Sequence, residues 1–179
     1  MLLACVIALL PHSTKAQDAV INLPGTALND LIAQLGSPSG SGNYVAPATT
    51  QAVSWQWWVT DAHFSLAPGA LTFTATVLSE VGQQDASKTT TVPASIVFDS
   101  ASSSLQISIS SFVVPIQFGG NTITQVDVGN LYSLSVPIEP QTFVLSLPTG
   151  GVRSVTGRVT SATMIVQPEQ VVLNLTVGF

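Results

Sequence analysis

The sequence contains very little cysteine and very little charge. Its one cysteine, Cys5, stands near the start, so the chain cannot form an internal disulfide framework. Charged residues make up 7% of the 179 residues, and four Lys and Arg stand against nine Asp and Glu, which gives a net charge of −5. Such a surface repels nucleic acid phosphates and anionic lipid headgroups. We therefore expect no nucleic acid partner.

Side chains that carry chemistry are also scarce. The two histidines are His12 and His63, and no Cys, His and carboxylate residues occur at the spacing of a metal site, so no metal is expected. Asp61, His63 and Ser65 would follow one another along one strand face, without the converging geometry of a catalytic triad. No cofactor is implied either. These absences predict a protein that is not an enzyme.

The first residues are interpreted as an export signal. Residues 2–10 form an apolar run that is too short to span a bilayer as a helix. Thr14 and Ala16 are small residues at the positions that favour cleavage before Gln17, although the basic segment that usually precedes the apolar run is missing. The pattern predicts a signal peptide over residues 1–16 and a periplasmic or extracellular location.

A second interpretation of the N-terminus stays open. The residues LLAC at positions 2–5 also resemble a bacterial lipobox, in which the cysteine would be lipidated. The remaining residues, 17–179, have the length of one domain with a sizeable core, and they contain no apolar stretch long enough for an integral membrane helix. We expect a single β-rich domain over residues 17–179.

Two segments one hundred residues apart have the pattern of equivalent β-hairpins. Residues 59–77 and 159–177 align without a gap, and both alternate apolar and polar residues on either side of a turn at Pro68 or Pro168. Alternation gives each hairpin one apolar face and one polar face. An internal duplication explains the matches, and chance similarity within a chain rich in Thr and Val explains them as well.

One helix and one loop are predicted before the first hairpin. Residues 26–35 place apolar side chains on one helical stripe, with Thr26 as the N-cap and Gly36 beyond the end. This helix should lie across the apolar face of the sheet. Residues 36–51 are dense in Gly, Ser and Pro and predict a flexible loop, serving either as a linker or as a lid.

The rest of the chain predicts short antiparallel strands. Residues 90–98 contain Pro93, which favours an edge or bulged strand. Further alternating segments follow between residues 105 and 147, and no segment has the alternation of strands and helices that parallel sheets require. The predicted fold class is mainly β (α+β), with about eight to ten strands and one N-terminal helix.

All three tryptophans lie in one predicted strand. Simple alternation places Trp58 on the same side as Phe64 and Leu66, and it places Trp55 and Trp57 on the other side. A tryptophan cluster can pack in a core with its N–H hydrogen-bonded, line an apolar pocket, or stack on a sugar. These three interpretations stay open.

The order of elements resembles a known family. A helix over residues 23–35, long strands of the type in residues 59–77, and a strand pair over residues 96–107 resemble the tubular lipid-binding superfamily, which includes bactericidal permeability-increasing protein, and particularly its small single-unit bacterial periplasmic members. The resemblance implies a highly curved antiparallel sheet that wraps a helix and leaves an apolar groove for acyl chains. The helix predicted here is shorter than in that family, and no second long helix is predicted.

The predicted function is binding of a lipid or other apolar ligand. One short helix can cover only part of the apolar face of the two hairpins, and uncovered apolar area in a soluble protein is typical of a binding site. The same positions would also suit an ordinary core. The candidate ligand-lining residues are Trp58, Phe64, Leu66, Phe73, Met164, Leu173 and Leu175.

Two other functions are compatible with the sequence. The last nine residues, VVLNLTVGF, alternate apolar side chains up to the terminal Phe179, as the C-terminal signal of a small outer-membrane β-barrel does. A structural or adhesive β-sandwich module fits the composition alone. A lipid binder needs an apolar cavity, a membrane barrel needs an outward apolar band, and an adhesive module needs neither.

Overall fold

The computed structural model describes residues 8–9, 17–45, 52–146 and 151–178. The protein is built mainly from antiparallel strands, as predicted, with two helices, α1 (Gly25–Leu35) and α2 (Val128–Tyr132). The strands are β1 (Ala8–Leu9), β2 (Gln17–Pro24), β3 (Ser39–Val45), β4 (Ala52–Ala67), β5 (Ala70–Val81), β6 (Gln84–Asp99), β7 (Ser104–Ile109), β8 (Val113–Phe118), β9 (Asn121–Asp127), β10 (Leu134–Pro137), β11 (Gln141–Ser146), β12 (Val152–Val166) and β13 (Gln170–Gly178).

The described strands form two larger sheets and one separate hairpin. The first sheet has the order β10-β7-β6-β5-β4-β3 and is strongly curled into a half-barrel. The second sheet has the order β1-β2-β13-β12-β11, and β8 pairs with β9 alone. The predicted curved antiparallel sheet is therefore confirmed. Thirteen strands are described instead of eight to ten, because several are short or lie in a segment predicted as loop.

The core lies between the two sheets. Inward-facing side chains of both sheets belong to one cluster of buried apolar residues. Full burial of one such side chain stabilises the fold by about 1.5–3 kcal/mol. The second sheet thus covers apolar surface that, from the sequence, we expected the helix alone to cover. In β5 and β13 the buried apolar positions follow every second residue, and they include Leu71, Phe73, Ala75, Val77 and Val81 in the first and Val171, Leu173, Leu175 and Val177 in the second.

The two predicted hairpins have the same pairing. Val59 pairs with Val77 in the first hairpin, and Val159 pairs with Val177 in the second. Each first strand then has a register shift within three residues of that pair, on the side toward the turn. A β-bulge adds an unpaired residue and bends the strand. The shift lies between Thr60 and His63 in the first hairpin and between Val159 and Ser161 in the second, so the two bulges are close to equivalent positions without coinciding. After the bulges the pairing corresponds again, since Phe64 pairs with Phe73 and Met164 pairs with Leu173.

The helix α1 begins one residue earlier than predicted. Pro24 is its N-cap residue and no side chain caps it, so the predicted Thr26 cap is wrong. The amide N–H of Gly25 instead donates to the carbonyl oxygen of Glu169 at 2.9 Å. Leu28 and Ile32, one helical turn apart, are the buried residues of α1.

The short helix α2 was not predicted from the sequence. It has five residues, which is too few to show a helical period. The offset of one hundred residues also relates the buried side chains of the two helices, because Leu28 and Val128 are both 0% exposed, and Ile32 and Tyr132 are 2% and 1% exposed. Equivalent positions therefore extend beyond the hairpins.

The strand β3 occupies part of the predicted flexible loop. Residues 39–45 pair with β4 along their whole length, so that prediction is wrong for them, and residues 46–51 lie outside the described part of the chain. Gly40 and Gly42 lie opposite Trp57 and Trp55. A Cβ atom on Gly40 would lie 2.7 Å from the Trp57 Nε1, and one on Gly42 would lie 2.6 Å from the Trp55 Cζ2. The glycines make room for two indole rings.

The strand β6 lies inside the first sheet, between β5 and β7, although Pro93 predicted an edge or a bulge. The carbonyl oxygen of Pro93 accepts a hydrogen bond from the Ser110 N–H at 3.0 Å. The nitrogen and the carbonyl oxygen of one residue point to the same side of a strand, so the missing N–H faces the side of β7. The one bond that proline cannot make would therefore reach Ser110, just beyond the end of β7 at Ile109, so Pro93 is accommodated where that ladder ends.

Most of the predicted signal peptide lies outside the described residues. Its residues 8–9 form β1, where Ala8 pairs with Val20 and Leu9 pairs with Ala19. Neither helix in the described part of the chain has the length and apolar character needed to cross a membrane.

The close approach of glycine and tryptophan generates the first prediction. A protein carrying both Gly40→Ala and Gly42→Ala should lose about 1–3 kcal/mol of unfolding free energy, because the added methyl groups must displace the indole rings. Tryptophan emission should shift to longer wavelength as the rings become solvated. Chemical denaturation and fluorescence spectra measure both effects.

The matched control is Ser41→Ala, which changes the residue between the two glycines on the opposite side of β3. It should alter the unfolding free energy by no more than about 0.5 kcal/mol. A double alanine variant with the stability and emission spectrum of the wild type would contradict the packing of the indoles on β3.

Candidate functional site

Four of the predicted lining residues lie in the closed core. Phe64 and Phe73 are cross-strand partners, and their ring centroids are 5.4 Å apart in an edge-to-face arrangement. Leu173 and Leu175 follow the same inward face of β13, and all four side chains are at most 3% exposed. The structure brings these four residues together as packing partners.

Leu66 and Met164 lie at the margin of this core. Both are partly buried and pack against the buried cluster. A Cβ atom on Gly25 would lie 2.9 Å from the Leu66 Cδ1, which places this side chain beside the start of α1. Met164 pairs with Leu173 across the second hairpin. A methionine at a margin can change shape easily, because its side chain is unbranched and polarisable.

Trp58 lies on the other face of β4, so its predicted position beside Phe64 is wrong. Val59 is 0% exposed and Phe64 is 3% exposed, so the buried positions are odd-numbered before the register shift and even-numbered after it. Asp61 lies within the shift and has φ of 54°, in the left-handed region. The bulge changes the phase of the alternation, which puts Trp58 on the outer face.

Trp55 and Trp57, which were not among the predicted lining residues, lie on the inner face. Both are partly buried and pack against the core cluster. They precede the bulge and therefore share the face of the fully buried Val59. The glycines at positions 40 and 42 were the signal in the sequence, because bulky rings in one strand require small residues in its neighbour.

The two hairpins are joined at their turns. The Gly69 N–H, in the first turn, donates to the Val166 carbonyl oxygen at 3.0 Å, and the Gly25 N–H donates to the Glu169 carbonyl oxygen at 2.9 Å. These backbone hydrogen bonds hold both turns and the start of α1 together. The tryptophans on the inner face of β4 lie toward the opposite end of the first hairpin.

A cleft of about 350 Å³ lies at the β3 side of the first sheet. Its polar side chains come from the outer faces of three neighbouring strands. The Gln56 Nε2 donates to the Glu80 Oε2 at 2.5 Å, which fixes the amide and the carboxylate relative to each other. The lining residues are Ser41, Gly42, Asn43, Ser54, Trp55, Gln56, Glu80 and Gly82.

A smaller cleft of about 150 Å³ lies beside the bulge of β4. Asp61 lines it together with Gly36 and Tyr132. The Tyr132 hydroxyl donates to the Gly36 carbonyl oxygen at 3.3 Å, and burial raises the pKa of Tyr132. This hydrogen bond joins the end of α1 to α2.

The row Asp61, His63 and Ser65 does not form a relay from carboxylate to imidazole. The His63 Nδ1 lies 2.7 Å from the backbone carbonyl oxygen of Asp61 and not from its carboxylate. Within the described residues, no three His, Cys, Asp or Glu side chains are grouped closely enough to hold a metal ion. The absence of enzymatic activity stays a prediction.

No family model, curated protein or solved structure matches this chain. The resemblance to the tubular lipid-binding superfamily therefore stays a prediction.

The positive φ angle of Asp61 generates the second prediction. Asp61→Gly should keep or raise the stability, because glycine adopts this backbone conformation without strain. Asp61→Val should lower the unfolding free energy by about 1–3 kcal/mol, because a β-branched residue is strained there. Chemical denaturation of both variants measures the difference.

Ser161→Val is the matched control, since Ser161 has the corresponding position in the second hairpin, next to its bulge, and is not among the residues with positive φ. It should leave the stability within about 0.5 kcal/mol of the wild type. Equal losses for the valine variants at positions 61 and 161 would show that the left-handed residue does not set the first bulge.

Proposed function

We propose that the protein is exported and binds a lipid or other apolar ligand, without catalysing a reaction, in the interior between its two sheets. The observation that carries this proposal is the chemistry of that interior. The two hairpins turn apolar side chains toward one shared cluster, and the buried polar residues among those described are Thr76, Ser79 and Ser104. A ligand placed there gains apolar contact and finds few hydrogen-bonding groups, which favours an acyl chain over a polar molecule.

Ligand entry requires the side chains at the margin to move, because the centre of the cluster is packed. Among the predicted lining residues on the inner face, Leu66 and Met164 are only partly buried. We assign the entrance to this margin, where a chain could replace the contacts of Met164 with its own. Each buried CH₂ group of the ligand would contribute about 0.8 kcal/mol, so a few methylene groups can offset the disturbance.

The β-bulge supports an adaptable interior. Each hairpin has a bulge in its first strand, and bent strands allow the sheets to curve around a common centre. The backbone hydrogen bonds at the turns hold one end of the two hairpins together. The opposite end can then separate slightly without loss of the bonds from Gly25 and Gly69.

Titration with a fluorescent fatty acid tests this proposal. The full chain is stripped of lipid and titrated with cis-parinaric acid, whose emission rises in an apolar environment. We expect saturable binding that Met164→Glu weakens at least tenfold, because a carboxylate at the entrance must be desolvated by an acyl chain. Met164→Ala should bind the probe at least as tightly as the wild type, since it leaves more room.

Ile165→Glu provides the matched control. Ile165 follows Met164 in β12 but points to the opposite face and is 51% exposed. This variant should bind the probe like the wild type, and circular dichroism would verify that all three variants fold. Absence of saturable binding by the folded wild type, or equal binding by Met164→Glu and Ile165→Glu, would overturn the proposal.

A further inference from the structure

The outer face of the first sheet carries a polar cleft that the apolar interior does not explain. Exposed side chains of Ser41, Asn43, Ser54 and Gln56 line it together with Glu80. These groups offer both hydrogen-bond donors and acceptors, and Glu80 is the one charged lining residue. A volume of about 350 Å³ lies within the range of small-molecule sites.

An aromatic side chain lies next to this cleft on the same face. Trp58 follows Gln56 by two positions in β4, so the two side chains point to the same side of the sheet. Its cross-strand neighbours are Ser39 and Leu78, and its indole is partly exposed. The outer face therefore combines an aromatic ring with an adjacent row of polar groups.

The second hairpin carries different residues at the corresponding positions. Thr156 and Arg158 occupy the positions that correspond to Gln56 and Trp58, and both are exposed. Gln56 pairs with Glu80 within its hairpin, whereas Thr156 pairs with Thr142 of β11 and Arg158 pairs with Gly178. The combination of a tryptophan, a glutamine and a neighbouring carboxylate on one outer face is therefore particular to the first hairpin.

We propose that this cleft binds a neutral sugar unit of a glycan. A sugar ring presents an apolar C–H face, which can stack on the Trp58 indole, and hydroxyl groups at its edge, which can bond to planar amides and carboxylates. Gln56 and Glu80 are already held together by a hydrogen bond, so they are oriented before the sugar arrives. The Glu80 carboxylate disfavours uronic acids and other anionic sugars.

This site is separate from the interior proposed for an apolar ligand. Trp58 and Gln56 face outward, whereas Phe64 and Phe73 face the core. A glycan should therefore bind without displacing cis-parinaric acid. The failure of one proposal leaves the other standing.

Screening on an array of neutral and uronic acid oligosaccharides tests the sugar site, followed by titration of the strongest neutral binder in solution. Trp58→Ala should weaken binding at least tenfold, and Trp58→Phe should restore part of it. Arg158→Ala is the matched control at the equivalent position of the second hairpin, and it should leave the affinity unchanged. Circular dichroism verifies that each variant folds.

Glu80→Gln tests the selectivity against charge. The substitution keeps the shape of the side chain but removes a charged hydrogen-bond acceptor, so the affinity for neutral sugar should fall, whereas the affinity for uronic acid oligosaccharides relative to neutral ones should rise several-fold. The proposal is overturned if no neutral glycan binds at millimolar concentration, if Trp58→Ala and Arg158→Ala bind equally, or if the wild type prefers acidic sugars.

Discussion

The structure depends on the burial of two apolar faces against each other. Alternation along β5 and β13 leaves almost no exposure at the inward positions, as Phe73 at 0% and Leu173 at 1% show. With no disulfide available, this apolar burial must supply most of the stabilisation. Each sheet has one apolar face that must be removed from water. The first sheet curls, and the second sheet covers it, for this same reason.

The bulge in β4 divides that strand between two environments. Before it, Trp55 and Trp57 turn toward the core and cover the glycines of β3. After it, the buried position is Phe64. The same phase change leaves Trp58 on the outer face beside polar groups. One long strand thereby contributes to the apolar interior and to the polar cleft, and these two surfaces differ in the ligands they can bind.

Local periodicity explains how much of the fold was predictable. The hairpins and α1 were identified because periods of two and 3.6 are visible in a short window. The strand β3 was missed because its composition is typical of a loop. Gly40 and Gly42 have a different role here, because the indole rings of β4 occupy the space that larger side chains would fill. The face of Trp58 was missed because a bulge depends on backbone conformation at Asp61, which alternation alone does not reveal.

Native mass spectrometry of the protein purified without detergent, followed by organic extraction, tests most directly whether the interior holds an apolar ligand. We expect a folded protein whose mass exceeds that of the polypeptide by a stoichiometric amount, with a lipid in the extract that accounts for the difference. Folded, soluble protein at the mass of the bare polypeptide, with no lipid in the extract, would contradict a tightly held apolar ligand.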